Sequence, residues 1–390
     1  MSRLFRLALL RTLPLIAGLM AASAAWAQRP PSRIPDDPHA VLERLPHGYA
    51  RLMPSSIPAA SAVAPVSSLQ VSILRIRELL TTAAQTGDAR LAARADALLA
   101  RLPADTKDPD VLLARAFSAQ HRHDFAAAEA LLDVVIAHSP RNAAAHLSRA
   151  QLHLVLGNVD LARADCTALA LGIDAGSGLL CVGMLSLRRG DYAAAAGAIE
   201  HWLQDAPATD ETRRYALLMR AEVAARAGDR DADTWFRRAL APAPDDVRTL
   251  TAYARYLRNV GRDREVMSLL AAQTGHEGLQ LQRTLAACRL PPGRASSLVA
   301  AQERRFAAAR AAGSPVELRD EAEFLLVARH APGAALALAQ ANFRTQRDYE
   351  DVALLQRAAL AAGRSEALQP LRTWAAAQHL SLPPVPEVAR

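Results

Sequence analysis

The sequence predicts an all-α fold, and three observations carry that prediction. Of 390 residues, 87 are Ala, while Phe, Trp and Tyr together make up 4%. Ala is the strongest helix former, and a core built from it needs helices packed closely. A β-sandwich or barrel would favour β-branched and aromatic residues instead. Hydrophobic residues reach 51%, enough apolar surface to offset the entropy of ordering, so the chain is not a disordered one. Small residues and Gly also recur at intervals near 34 residues, which marks a repeat array.

The first element is an export signal. Arg3, Arg6 and Arg11 precede an apolar run from Leu13 to Ala25, and Ala25-Trp26-Ala27 places cleavage before Gln28. The run is short of the roughly 20 residues that span a bilayer as a helix. No Cys follows it for lipidation, and no Arg pair marks the twin-arginine route. Residues 1–27 are therefore expected to be a cleaved signal peptide, and the mature chain periplasmic, without a transmembrane segment. Residues 28–66 are a leader interrupted by Pro30, Pro31, Pro35, Pro38, Pro46, Pro54, Pro58 and Pro65, where no long helix can form.

From 67 to 275 the chain repeats. A small residue recurs at Ala116, Ala150, Gly183, Ala221 and Ala254, and a turn residue seven positions later at His123, Gly157, Gly190, Gly228 and Gly261. Both series step by 34, 33, 38 and 33 residues. An earlier copy has its turn at Gly87-Asp88 and a small residue at Ala92. Ala128, Ala162 and Ala195 follow the turns, and Pro140 and Pro207 close two of the units. The pattern resembles the tetratricopeptide repeat (TPR) family, in particular secreted proteobacterial members of unassigned role. The resemblance implies a right-handed solenoid of antiparallel helix hairpins.

Beyond 275 the pattern weakens, but helices continue over 276–382. Leu279 to Ala287, Leu298 to Ala312, Val316 to His330, Ala334 to Arg344, Glu350 to Ala362 and Glu366 to His379 read as diverged hairpins closing the solenoid. Terminal repeats must cover an otherwise exposed apolar face, so atypical sequence belongs there. Pro383, Pro384 and Pro386 end the last helix, leaving 383–390 as a tail. In the repeat register, Cys166 on one second helix neighbours Cys181 on the next first helix, so they either form a disulfide or are two small core residues in contact. Cys288 is the odd one out.

The chemistry that the sequence excludes is as informative. There is no Cys-x-x-Cys, no phosphate loop and no His-Glu-x-x-His, and nothing suggests an enzyme or a cofactor. The net charge is +7, but Arg and Asp/Glu alternate along the repeats, as in Arg262–Asp263–Arg264–Glu265. A nucleic-acid binder would gather its basic residues on one stripe, so no nucleic-acid partner is expected.

The TPR resemblance implies binding. First helices of such hairpins line a concave groove, here carrying Phe117, His121, Leu147, Gln151 and Met184 early, and Arg188, Glu222, Arg226, Arg248, Arg255 and Arg258 later. An apolar start running into an Arg-rich end suits a protein or peptide partner with hydrophobic side chains followed by carboxylates, which Arg holds through paired hydrogen bonds. The alternative for these Arg is a solvated face. The clamp of chaperone-binding members is missing, because Leu113, Leu147, Leu180, Leu218 and Thr251 stand where it needs Lys or Asn. Two rival readings are a metal-handling protein using His121, His123, His146 and His153, and a glycan binder stacking sugars on Trp202, Trp235, Tyr253 and Tyr256.

Overall fold

The structure, a computed structural model, describes residues 68–384 except 87, 206–209, 292, 294 and 312–316. The expected signal peptide, leader and last six residues of the tail lie outside the described residues, as do Gly87 and Pro207.

Helices pair in chain order: α1 (Ser68–Thr86) with α2 (Ala89–Leu99), α3 (Pro109–His121) with α4 (Phe125–His138), and α5 (Ala143–Leu156) with α6 (Val159–Ala168). Next come α7 (Ala175–Arg189) with α8 (Tyr192–Asp205), α9 (Asp210–Ala227) with α10 (Ala232–Leu240), and α11 (Val247–Asn259) with α12 (Asp263–Leu269). Then α13 (Glu277–Cys288) packs on α14 (Ala295–Ala311), and α15 (Leu318–Val327) on α16 (Pro332–Phe343). Finally α17 (Tyr349–Ala361) leads through a 3-10 turn, Ser365–Leu368, into α18 (Gln369–Ala377). No strand occurs among the described residues. The fold is a helical-repeat solenoid.

Both marker series have a physical cause. Gly157, Gly190, Gly228 and Gly261 all adopt φ between 71° and 82°, and His123 reaches 59° at the equivalent place. A left-handed residue ends each first helix and reverses the chain, and Gly does this without a Cβ penalty. Ala116, Ala150, Gly183, Ala221 and Ala254 are all buried. A Cβ added to Gly183 would lie 2.8 Å from Cγ1 of Ile199 on α8, so the small residue sets the close approach within that hairpin. First helices begin at Asx caps: Asp108, Asn142, Asp174 and Asp246 each accept a hydrogen bond from a backbone N–H of the first turn.

Cys166 at the end of α6 and Cys181 on α7 form a disulfide, with Cα atoms 5.1 Å apart. Cys288 is free and half-buried.

Apolar packing runs from Leu112 and Leu132 through Ile199 and Phe236 to Leu279. The C-terminal helices have a separate core around Leu336, Val352, Leu355 and Leu371. They depart from the expected end-cap. While α13 continues the stack against α11 and α12, side chains of α15 and α17 and the loop before α17 bond to earlier repeats. Glu323 of α15 pairs with Arg258 of α11, and the Arg347 N–H donates to the Val155 carbonyl of α5 at 2.7 Å. The last expected helix also divides, its first turn becoming the 3-10 turn ahead of Pro370.

Candidate peptide-binding cavity

The inner faces of α3, α5, α7, α9 and α11 enclose a cavity of about 540 Å³, closed on one side by the start of α17. Phe117, Gln151, Met184, Arg188, Glu222, Arg226, Arg248 and Arg255 all line it. Leu147 lies in an adjoining hollow of about 320 Å³ shared with Phe117, Gln151 and Arg248. His121 falls outside, in a smaller pocket with His123 and Glu317. Arg258 is also elsewhere: its side chain is 3% exposed, bonded to Gln282 at 2.6 Å and Glu323 at 3.1 Å. It joins α11 to the C-terminal hairpins and does not face the cavity.

One end of the cavity is apolar, with Phe117, Leu154, Met184 and Leu218 in its wall. Phe117 remains 44% exposed, an unusual state for a Phe on a packed helix. Tyr215 stands between the two ends. Its hydroxyl lies 3.4 Å from the Met184 sulfur and 3.5 Å from the Gln151 amide nitrogen, and burial pushes its pKa up.

The other end is basic. Arg188, Arg226, Arg248, Arg255 and Arg319 line it together with Glu222, Asp348 and Glu350, and Asp351 lies 3.5 Å from Arg319. Burial pulls Arg188 down to about 10, only partly opposed by Asp348 and Asp351 and reinforced by Arg226. Its guanidinium donates to the Arg347 carbonyl and sits 5.4 Å from the Trp374 ring centre, while its buried Nε has no hydrogen-bond partner among the described residues. Arg226 lies 4.0 Å over the Tyr349 ring and 3.7 Å from Glu222. Burial pushes the Glu222 carboxyl up, more than Arg226 and Arg255 lower it. Burial also works against the charge of Arg255, but Glu350, 3.6 Å away, and Glu323 outweigh it and raise its pKa.

Residues missed by sequence reasoning are of two kinds. Tyr215 lies six positions before Ala221, one of the inward positions of a first helix, so the repeat register could have found it. Arg319, Asp348, Tyr349 and Glu350 come from hairpins without that register, and no local signal marks them.

The rival sites resolve into structural roles. His146 bonds Asp165 at 2.7 Å and the Pro140 carbonyl at 3.1 Å, using both ring nitrogens. His153 is buried, His123 bonds Gln346, and among the described residues no three His, Cys, Asp or Glu side chains are gathered to hold a metal. Trp202 and Tyr253 are buried, Tyr256 packs on Phe236, and the Trp235 ring has Arg220 and Arg238 against it at 4.7 and 4.2 Å.

No protein-family model matches the chain, and no curated protein matches it. Similar solved structures include a tetratricopeptide repeat protein from Parabacteroides merdae, 15% identical with a TM-score of 0.39, over 74% of this chain and 99% of that one. The APC/C hetero-tetramer Cut9-Hcn1 is 14% identical with a TM-score of 0.36, over 75% and 63%. The TPR domain of P58(IPK) is 17% identical with a TM-score of 0.21, over 75% and 99%. The likeness is one of helix-hairpin class and brings no function with it.

Proposed function

We propose that the chain is an exported, non-catalytic scaffold that binds an extended segment of another protein on the inner face of its first helices. The observation that carries this reading is the polarity of the cavity, apolar around Phe117 and Met184 and basic around Arg188 and Arg226. Apolar side chains enter the first end, and Arg188 and Arg248, which have no carboxylate partner among the described residues, hold carboxylates at the second. A buried cation without a full set of partners is costly, and an anionic ligand removes that cost. The amino-terminal signal supports a periplasmic location, and hence a partner in the cell envelope.

A photo-crosslinking amino acid at Phe117 tests the reading in intact cells. A partner captured there, lost with Arg248→Glu and retained with Arg163→Glu on the exposed side of α6, supports it. Capture indifferent to Arg248 places binding elsewhere. Amino-terminal sequencing of the mature protein tests export, with Gln28 as the expected first residue.

A further inference from the structure

Part of the inner face is already occupied by the chain itself. Between α16 and α17, residues Gln346, Arg347 and Asp348 are non-helical, and Tyr349 and Glu350 open α17. Successive residues of this segment meet successive repeats. The Gln346 amide donates to Nδ1 of His123, in the turn after α3, at 2.9 Å. The Arg347 N–H bonds the Val155 carbonyl in the last turn of α5, a group that the helix leaves unsatisfied. The Arg347 carbonyl accepts from Arg188 of α7. The Tyr349 ring lies under Arg226 of α9, and Glu350 faces Arg255 of α11. Two main-chain groups and three side chains are thus read in order by five repeats, as in a peptide laid along the groove.

We infer that residues 346–350 are an internal ligand, holding in cis the place that a partner's segment takes in trans. The partner's segment then carries the same chemistry, an aromatic residue beside carboxylates. This rests on the groove-binding reading above. Asp348 is outside the recognition, since it caps α17 and pairs with Arg319 at 3.0 Å. The internal fit is incomplete. The ion pair at Glu350 is 3.6 Å long, and among the described residues the Arg188 Nε has no hydrogen-bond partner and Arg248 has no carboxylate, lying 5.8 Å from the Tyr215 ring. A ligand with an added carboxylate satisfies groups that the internal segment leaves open. The C-terminal hairpins keep their own core, so releasing this segment does not require dismantling α17.

The test uses the full chain and a fluorescein-labelled peptide of residues 344–352, acetylated and amidated, with binding read by anisotropy. In the wild type the internal segment competes, because a site occupied in cis lowers apparent affinity by the fraction left open. Tyr349→Ala with Glu350→Arg, which leaves the cap and the apolar face of α17 intact, is expected to bind the peptide at least about ten-fold more tightly. The gain should vanish when the peptide carries the same two changes, and when Arg255→Gln is added to the protein. If the double variant loses helical circular dichroism, Tyr349→Ala alone carries the test, with an expected gain of about two- to five-fold from the lost ring–guanidinium contact. A variant that binds no more tightly than wild type, or binds the altered peptide equally well, overturns the inference. Partner capture at Phe117 that persists beside such a result keeps the groove reading and rejects the internal ligand alone.

Discussion

The repeats and the C-terminal hairpins are built from the same unit, yet they are joined to their surroundings by different forces. Within the repeats, contact is dry: Ala150, Ala195, Ile199, Phe236 and Leu250 are all buried by 98% or more. Between the C-terminal hairpins and the inner face of the repeats, polar contacts include Glu323–Arg258, Glu350–Arg255, Tyr349–Arg226 and the Trp374 indole to the Gly157 carbonyl, while Phe324 packs on Leu281 and Leu285 and Leu380 on the repeat core. Apolar burial is indifferent to salt and pH, whereas ion pairs respond to both. One set of hairpins is therefore expected to act as a frame, and the other as a cover whose polar contacts respond to salt and pH.

The largest effects separate the two. Phe236 stacks on Tyr253 with ring centres 5.1 Å apart and is 1% exposed. Phe236→Ala is expected to cost about 3–5 kcal/mol, seen as a lower denaturant midpoint for the whole chain. Arg258→Ala should cost about 3 kcal/mol, because buried Glu323 keeps only the longer pair with Arg357 at 3.5 Å. Hydrogen exchange would find that loss concentrated in α15 and α17. Replacing both partners, Arg258→Met with Glu323→Leu, is expected to recover much of it, as no second substitution can for Phe236. Uniform unfolding in both single variants would erase the distinction between frame and cover.

Next in size is the disulfide, which lies wholly within the frame. It closes a loop of 15 residues between α6 and α7. Replacing both Cys166 and Cys181 by Ala should lower stability by about 3 kcal/mol through the freed unfolded chain. Equilibrium unfolding with and without reductant measures it, and exchange in the 346–350 segment should stay unchanged.

The frame was far more legible in the sequence than the cover. Ala116, Ala150, Gly183, Ala221 and Ala254 announce close helix approach, and the turn Gly announce left-handed backbone, because local sterics allow few other residues there. The groove followed from the register: Phe117, Gln151, Met184, Arg188 and Arg226 reach the cavity as the repeat positions require. Arg258 obeys the same register but meets Glu323, 65 residues away, which no local pattern foretells. Likewise Glu350 reads as the start of a helix and Tyr349 carries no signal, and what they touch depends on how distant hairpins meet. Long-range polar pairing leaves no periodic trace.

Acid should act on the cover before the frame. Burial alone would raise the Glu323 carboxyl, but Arg258, Arg357 and Arg255 hold it at about 2, against an ordinary 4.5. A carboxyl with a depressed folded pKa stabilises above its unfolded value, and that contribution is lost as pH falls toward the folded one. Asp351 works the other way. Burial and its neighbour Asp348 push it up, so its contribution rises as pH falls toward the ordinary carboxylate range, above the window in which Glu323 loses its own. Protection of α15 amides, measured against the intrinsic exchange rate at each pH, is therefore expected to fall between about pH 4.5 and 2, and Glu323→Gln to flatten that dependence. An equal fall in α8 would mean that the whole chain responds.

The smallest effect tests the contact nearest the cavity. Arg255 and Glu350 are 3.6 Å apart, with side chains 18% and 24% exposed, so water still reaches the pair. Pairs of this kind contribute about 0–1 kcal/mol and are screened by salt. Arg255→Gln should therefore leave the unfolding midpoint almost unchanged, while exchange in residues 346–350 rises by up to about five-fold. Raising salt should produce much of the same increase in the wild type and little more in the variant, because the charge that salt screens has already gone. Exchange at Phe236, inside the frame, should move in neither case. Were the segment equally protected in all four conditions, Arg255–Glu350 would be no part of what keeps the cover closed, and Arg258–Glu323, the Arg347–Val155 bond and the Trp374–Gly157 bond would hold it without that pair.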